Sequence, residues 1–112
     1  MYGISDTDNE LEEDKSKKNA ITAYARTKWE AECELKEMND DNFTVVCFRP
    51  STVFGASPSL RCDIVFNNLV ACAYTTGKIE IKSDGTPWRP VVHVKDVCAA
   101  YISGLEAPKE LV

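Results

Sequence analysis

Histidine is nearly missing: His93 is the single one among 112 residues. Five cysteines occur, Cys33, Cys47, Cys62, Cys72 and Cys98, and none forms a C-x-x-C pair. One histidine and unpaired cysteines exclude the usual zinc frameworks, so no metal is expected. The odd count also argues against a disulfide scaffold. Scattered in apolar surroundings, the cysteines read as small buried hydrophobes in a reducing compartment. No apolar run reaches the roughly 18 residues of a membrane span. No basic stretch leads into an apolar one, so no secretory signal is visible. No basic stripe points to nucleic acid. A cytoplasmic protein without membrane or nucleic-acid partners is expected.

What is present suits a packed chain. Hydrophobic residues make up 44%, too many for compositional disorder. The length allows one small domain near the lower limit for a stable core. Charge is uneven within the net −5: residues 1–41 hold 12 acidic and 6 basic side chains, and residues 42–112 hold 6 and 7. The acidic end reads as solvated surface. The nearly neutral remainder could tolerate an anionic ligand.

The polar stretch "GISDTDNELEEDKSKKN" at 3–19 lacks an apolar period and predicts a long exposed loop. Helix formers dominate from Ala20 to Met38, with Tyr24, Lys28, Ala31, Leu35 and Met38 along one face. "NDDN" at 39–42 stops that helix. "FTVVCFR" at 43–49 is apolar, short and β-branched, which predicts a strand buried on both faces. "RPSTVFGASPSLR" is a loop. A second helix runs from near Asp63, a candidate N-cap or first-turn acid, to Gly77. "KIEIK" at 78–82 alternates like a strand, "SDGTP" is a turn, and "WRPVVHV" is a short strand that Pro90 confines to an edge or end. "KDVCAAYISGLEA" closes as a helix before Pro108. The order is helix, strand, helix, strand, strand, helix, an α/β pattern. A doubly covered strand needs neighbours that these residues scarcely supply, so a piece of a larger fold is expected.

Tyr24 and Lys28 are the first chemical candidates. Side chains at i and i+4 share a helix face, with Cβ atoms about 6 Å apart. A free tyrosine titrates near pH ~10, too high for efficient proton transfer at neutrality. A fixed ammonium stabilises a phenolate. Such a pair suits oxidation and reduction at a hydroxyl carbon, with a nicotinamide carrying the hydride. The same spacing also arises by chance on any lysine-rich helix.

The neighbouring motifs add specificity. "YG" at 2–3, "YARTKWEAE" at 24–32, "FRPSTVFGASP" at 48–58, "DIVFNNLV" at 63–70 and "DGTPWRPVVHVKDVCAAYISGLEAP" at 84–108 occur in order. Together they resemble the extended short-chain dehydrogenase/reductase family, and within it the NAD-dependent epimerases and dehydratases acting on nucleotide sugars. The resemblance implies that Tyr24 is the catalytic acid/base. Lys28 would stabilise its phenolate and bond the nicotinamide ribose. Pro50 and Ser51 would lie against the nicotinamide, making Tyr24, Lys28, Pro50 and Ser51 the cofactor-binding set. Thr52 would face the sugar, where relatives often have asparagine. Asn67 and Asn68 would contact the nucleotide diphosphate, Ile81 would lie under the base, and Arg89 would clamp the phosphates with forked bonds.

Plainer readings stand beside these. The asparagines fit an ordinary polar helix face, and Arg89 fits a surface arginine beside Trp88. His93 is assigned to packing or hydrogen bonding at a strand-to-helix junction, not to proton transfer. Asp96 is a helix-start residue.

The resemblance further implies a partial, doubly wound Rossmann-type fold. Residues 1–58 would hold the latter part of the NAD-binding fold and 59–112 part of the nucleotide-sugar region. No G-x-x-G-x-x-G or G-x-G-x-x-G occurs in the sequence, the pattern whose amides hold a dinucleotide pyrophosphate. The 112 residues alone are therefore expected to be inactive and to bind NAD or NADP weakly. A homodimer through the helix at 20–38 is implied for the complete enzyme. Two rival readings remain: a reductase or dehydrogenase for a non-nucleotide carbonyl compound, which needs neither Arg89 nor Asn67, and a non-catalytic interaction module.

Overall fold

The computed structural model describes residues 12, 13, 15–86 and 88–111. The "YG" motif at 2–3 lies outside the described residues. The chain forms two compact units, one ending at Cys47 and the other starting at Phe48.

The first unit is built on helix α1, Ala23–Glu37. Thr22 starts it: its backbone is extended and its hydroxyl accepts the Ala25 N–H at 3.1 Å, satisfying one of the amides a helix start leaves open. Asn39 and Asp40 end it. The Asp40 carboxylate accepts the N–H groups of Asn42 and Phe43 at 2.7 and 2.8 Å, and Asn39 Oδ1 accepts that of Val45 at 3.2 Å. Those bonds turn the chain where "NDDN" predicts a stop. Tyr24, Lys28, Ala31, Leu35 and Met38 are exposed, whereas Ala25, Trp29 and Cys33 are half-buried. Glu32, at 6% exposure, is buried and pairs with Lys36 at 3.1 Å.

The second unit is a β–α–β–α arrangement. Strand β1, Thr52–Phe54, and strand β2, Val91–His93, pair in parallel, with Thr52 opposite Val91 and Phe54 opposite His93. Parallel pairing requires a long crossover, and helix α2, Val65–Thr76, lies within it. Helix α3, Val94–Glu106, follows β2 directly, and a single 3₁₀ turn covers Lys109–Leu111. Gly77 ends α2 at φ 69°, and its N–H bonds the Ala73 carbonyl. This left-handed position is the glycine stop that the sequence predicts. Aromatic contacts tie the unit together. Phe54 meets Phe66 of α2 at 4.4 Å and the edge of His93 at 5.1 Å, and Phe48 meets Tyr101 of α3 at 4.8 Å.

The fold is thus α/β and compatible with part of a Rossmann-like sheet, but several expectations are corrected. Residues 43–49 form no strand; Val45–Arg49 are only half-buried, and Phe43 and Thr44 are exposed. A β-branched run has strand propensity, but a strand exists only where a neighbour completes its ladder. Pairing begins instead at Thr52, whose N–H reaches the Pro90 carbonyl at 3.3 Å. "KIEIK" is likewise unpaired, and Pro90 precedes β2 rather than interrupting it. The cysteines are not buried: Cys33, Cys47 and Cys72 are half-buried, Cys62 and Cys98 exposed, and all are free thiols. Asp63 does not cap α2; its carboxylate binds Arg61 instead. Among the described residues no hydrophobic side chain is buried. Apolar segments therefore find only partial cover, which accounts for the exposed thiols.

Candidate active site

Helix α1 brings Tyr24 and Lys28 together. The Lys28 ammonium lies 5.8 Å from the centre of the Tyr24 ring, close enough for cation–π attraction, which extends to about 6 Å. Both side chains are exposed, Tyr24 at 73%. The helix itself sets this pairing, because one turn separates the two residues. The Thr27 hydroxyl back-bonds the Tyr24 carbonyl at 3.0 Å. A phenol and an ammonium displayed on one rigid helix can present a proton donor/acceptor and a fixed positive charge to the same small molecule.

The second unit carries the other candidates. Pro50 is exposed, and Ser51 and Thr52 are half-buried at the entrance to β1. Asn67 and Asn68 lie in the first turn of α2. Asn67 is half-buried: its oxygen accepts the Gly55 N–H at 3.2 Å, and its amide nitrogen donates to the Arg61 carbonyl at 3.0 Å. Asn68 donates to the Cys62 carbonyl at 3.0 Å. Ile81 and Arg89 lie on unpaired segments and are exposed, and Trp88 beside Arg89 is 98% exposed. Asn67 meets the far end of β1 at Gly55, whereas Thr52 stands at its start.

His93 is the cap of α3. Its Nδ1 accepts the Lys95 N–H at 3.2 Å. It has a packing and hydrogen-bonding role, as the sequence predicts, with Asp96 in the first turn beside it. Its ring also closes against Gly55. That glycine adopts φ 112°, and a Cβ there would lie 2.7 Å from His93 Nε2 and 3.2 Å from Val94 Cγ1.

Two exposed acids hold their charge more firmly than usual. Asp63 is lowered from the ordinary carboxylate value, first by the hydrogen bond from Arg61. Asp84 is lowered by the Thr86 hydroxyl and N–H, which both donate to it in the turn at Gly85. Both are exposed, so they shape loops rather than drive chemistry.

The sequence description of the NAD dependent epimerase/dehydratase family matches residues 1–112. The chain belongs to this family. No solved structure matches it. Membership carries NAD-dependent enzyme chemistry as the class, in line with the ordered motifs around Tyr24, Pro50, Asn67 and Arg89. The exposed Tyr24 hydroxyl and Lys28 ammonium are both able to hydrogen-bond hydroxyl groups. Among the described residues no group of histidine, cysteine and carboxylate side chains could hold a metal ion. None of the described helices is long and apolar enough to cross a membrane.

Gly55 was not singled out by sequence reasoning. Its signal is the Gly at the end of "STVFG", followed after twelve residues by an asparagine in a first helical turn, a residue prone to bond nearby backbone.

Proposed function

We propose that this chain supplies the acid/base and part of the nucleotide-sugar site of an NAD-dependent epimerase or dehydratase. The observation that carries the reading is the Tyr24–Lys28 pair, exposed on one face of α1 in a member of this family. Tyr24 takes the proton of a sugar hydroxyl at its phenolic oxygen and returns it to the carbonyl oxygen. Lys28 holds the phenolate by its charge and bonds the nicotinamide ribose. Bound NAD supplies a reversible hydride acceptor for the sugar carbon. Pro50 and Ser51 border the nicotinamide, and Thr52 faces the sugar. Arg89 pairs with the diphosphate through forked, charge-assisted bonds, Asn67 and Asn68 border it, and Ile81 lies against the base.

The 112 residues by themselves are inactive in this reading, because they contain no glycine-rich pyrophosphate loop. The complete enzyme works in the cytoplasm as a homodimer joined through the helix at 20–38. The exposed Leu35 and Met38 support that contact. Calorimetric titration of the chain with a nucleoside diphosphate and with NAD tests the reading. Nucleoside-diphosphate binding should weaken about tenfold or more in Arg89→Ala, with no micromolar NAD binding. Nucleotide binding indifferent to Arg89, or tight NAD binding, would overturn it.

A further inference from the structure

We infer that Asn67 is a positioning residue that fixes the loop between β1 and α2. One amide group spans two distant points of the chain. Its oxygen takes the Gly55 N–H, twelve residues earlier, and its nitrogen gives to the Arg61 carbonyl, six residues earlier. The adjacent Asn68 adds a third bond, to the Cys62 carbonyl. Residues 56–63 are exposed, so packing contributes little to holding them. Gly55 and Asn67, by contrast, are half-buried, where an unmade hydrogen bond is costly.

The geometry at Gly55 explains why one amide suffices. On one side the His93 ring and Val94 close against the glycine, leaving no room for a Cβ. On the other, Asn67 holds its N–H. The end of β1 is therefore fixed between α3 and α2, and the loop leaves it in a set direction.

This changes what Asn67 can offer a ligand, a step that rests on the nucleotide-sugar reading above. A primary amide has two N–H donors and one oxygen. The oxygen and one donor are already engaged, so a single N–H is left for a phosphate oxygen. The larger influence of Asn67 on that site is through the loop, whose departure from Gly55 it sets.

The test uses the ligand-free chain, so it is independent of whether nucleotide sugars bind. Isotope-labelled chain is compared with Asn67→Ala, Asn67→Asp and Asn68→Ala, following Gly55 amide exchange and the Arg61 carbonyl carbon shift by NMR. Asn67→Ala should speed Gly55 exchange about three- to tenfold and move the Arg61 carbonyl. Asn67→Asp keeps the acceptor and loses the donor. It should hold Gly55 protection within about twofold while moving the Arg61 carbonyl. Asn68→Ala should leave both signals in place. Unchanged Gly55 exchange in Asn67→Ala overturns the inference. Should that variant not fold, Gly55 exchange in folded Asn67→Asp accelerated beyond about tenfold would overturn it equally. Failure of the substrate reading appears only in the nucleotide titration.

Discussion

Helix α1 and the Gly55–Asn67 junction solve different problems. On α1 the candidate chemistry is local: one helical turn places Lys28 over Tyr24, and the pair needs only the helix itself. At the junction, nothing local suffices. Gly55, Asn67 and His93 come from the end of β1, the start of α2 and the end of β2. A site that only displays side chains can be built on a single element. A site that must aim a loop needs contacts remote in sequence. The first should withstand distant substitutions, and the second should weaken when a contact among its members is removed.

That difference can be broken in order of effect. Gly55→Ala should be the most damaging change. It forces a side chain onto a backbone at φ 112° and into His93, where strain alone costs roughly 1–3 kcal/mol. Amide exchange at Thr52–Phe54 should accelerate sharply, while α1 amides stay as they were. Acceleration in both regions alike would remove the distinction. Thr22→Ala should do the reverse at a cost of about 1 kcal/mol, lowering the helical signal of α1 and leaving Gly55 protected.

The smallest effect belongs to Asp63. Its pKa is lowered by the Arg61 bond. Its stabilising contribution is therefore complete above the ordinary carboxylate range and is lost as pH falls through the lowered value. Full exposure and salt screening keep it small. Acidification should shift the amides of residues 61–63 in low salt, with a weaker response in Asp63→Asn. An equal response in that variant would assign the effect to another group.

The same contrast explains what could be read from the sequence. The helices were legible because their signals are local: the Gly77 stop, the Asn39–Asp40 turn and the helical run from Ala23. The proximity of Tyr24 and Lys28 was legible for that reason too. Strands were not. Residues 43–49 have the composition of a strand and no ladder, whereas Thr52–Phe54, inside a proline- and glycine-punctuated loop, pair with Val91–His93. Pairing is a property of two segments, and composition describes one. Glu32, buried and paired with Lys36, is a packed carboxylate that a hydrophobic pattern does not register. The asparagines were recognised as hydrogen-bonding residues. Their partners, Gly55, Arg61 and Cys62, follow only from the turn that the loop makes.

The central claim is that Tyr24 carries the proton in the family's reaction. In the complete enzyme bearing this segment, Tyr24→Phe removes one oxygen and preserves the ring that Lys28 covers. Turnover with a nucleoside-diphosphate sugar should fall by at least about a hundredfold, with affinity for that substrate largely retained. Turnover within about threefold of the parent, well short of a general acid–base loss, would contradict the account and reduce the pair to a helix-surface contact.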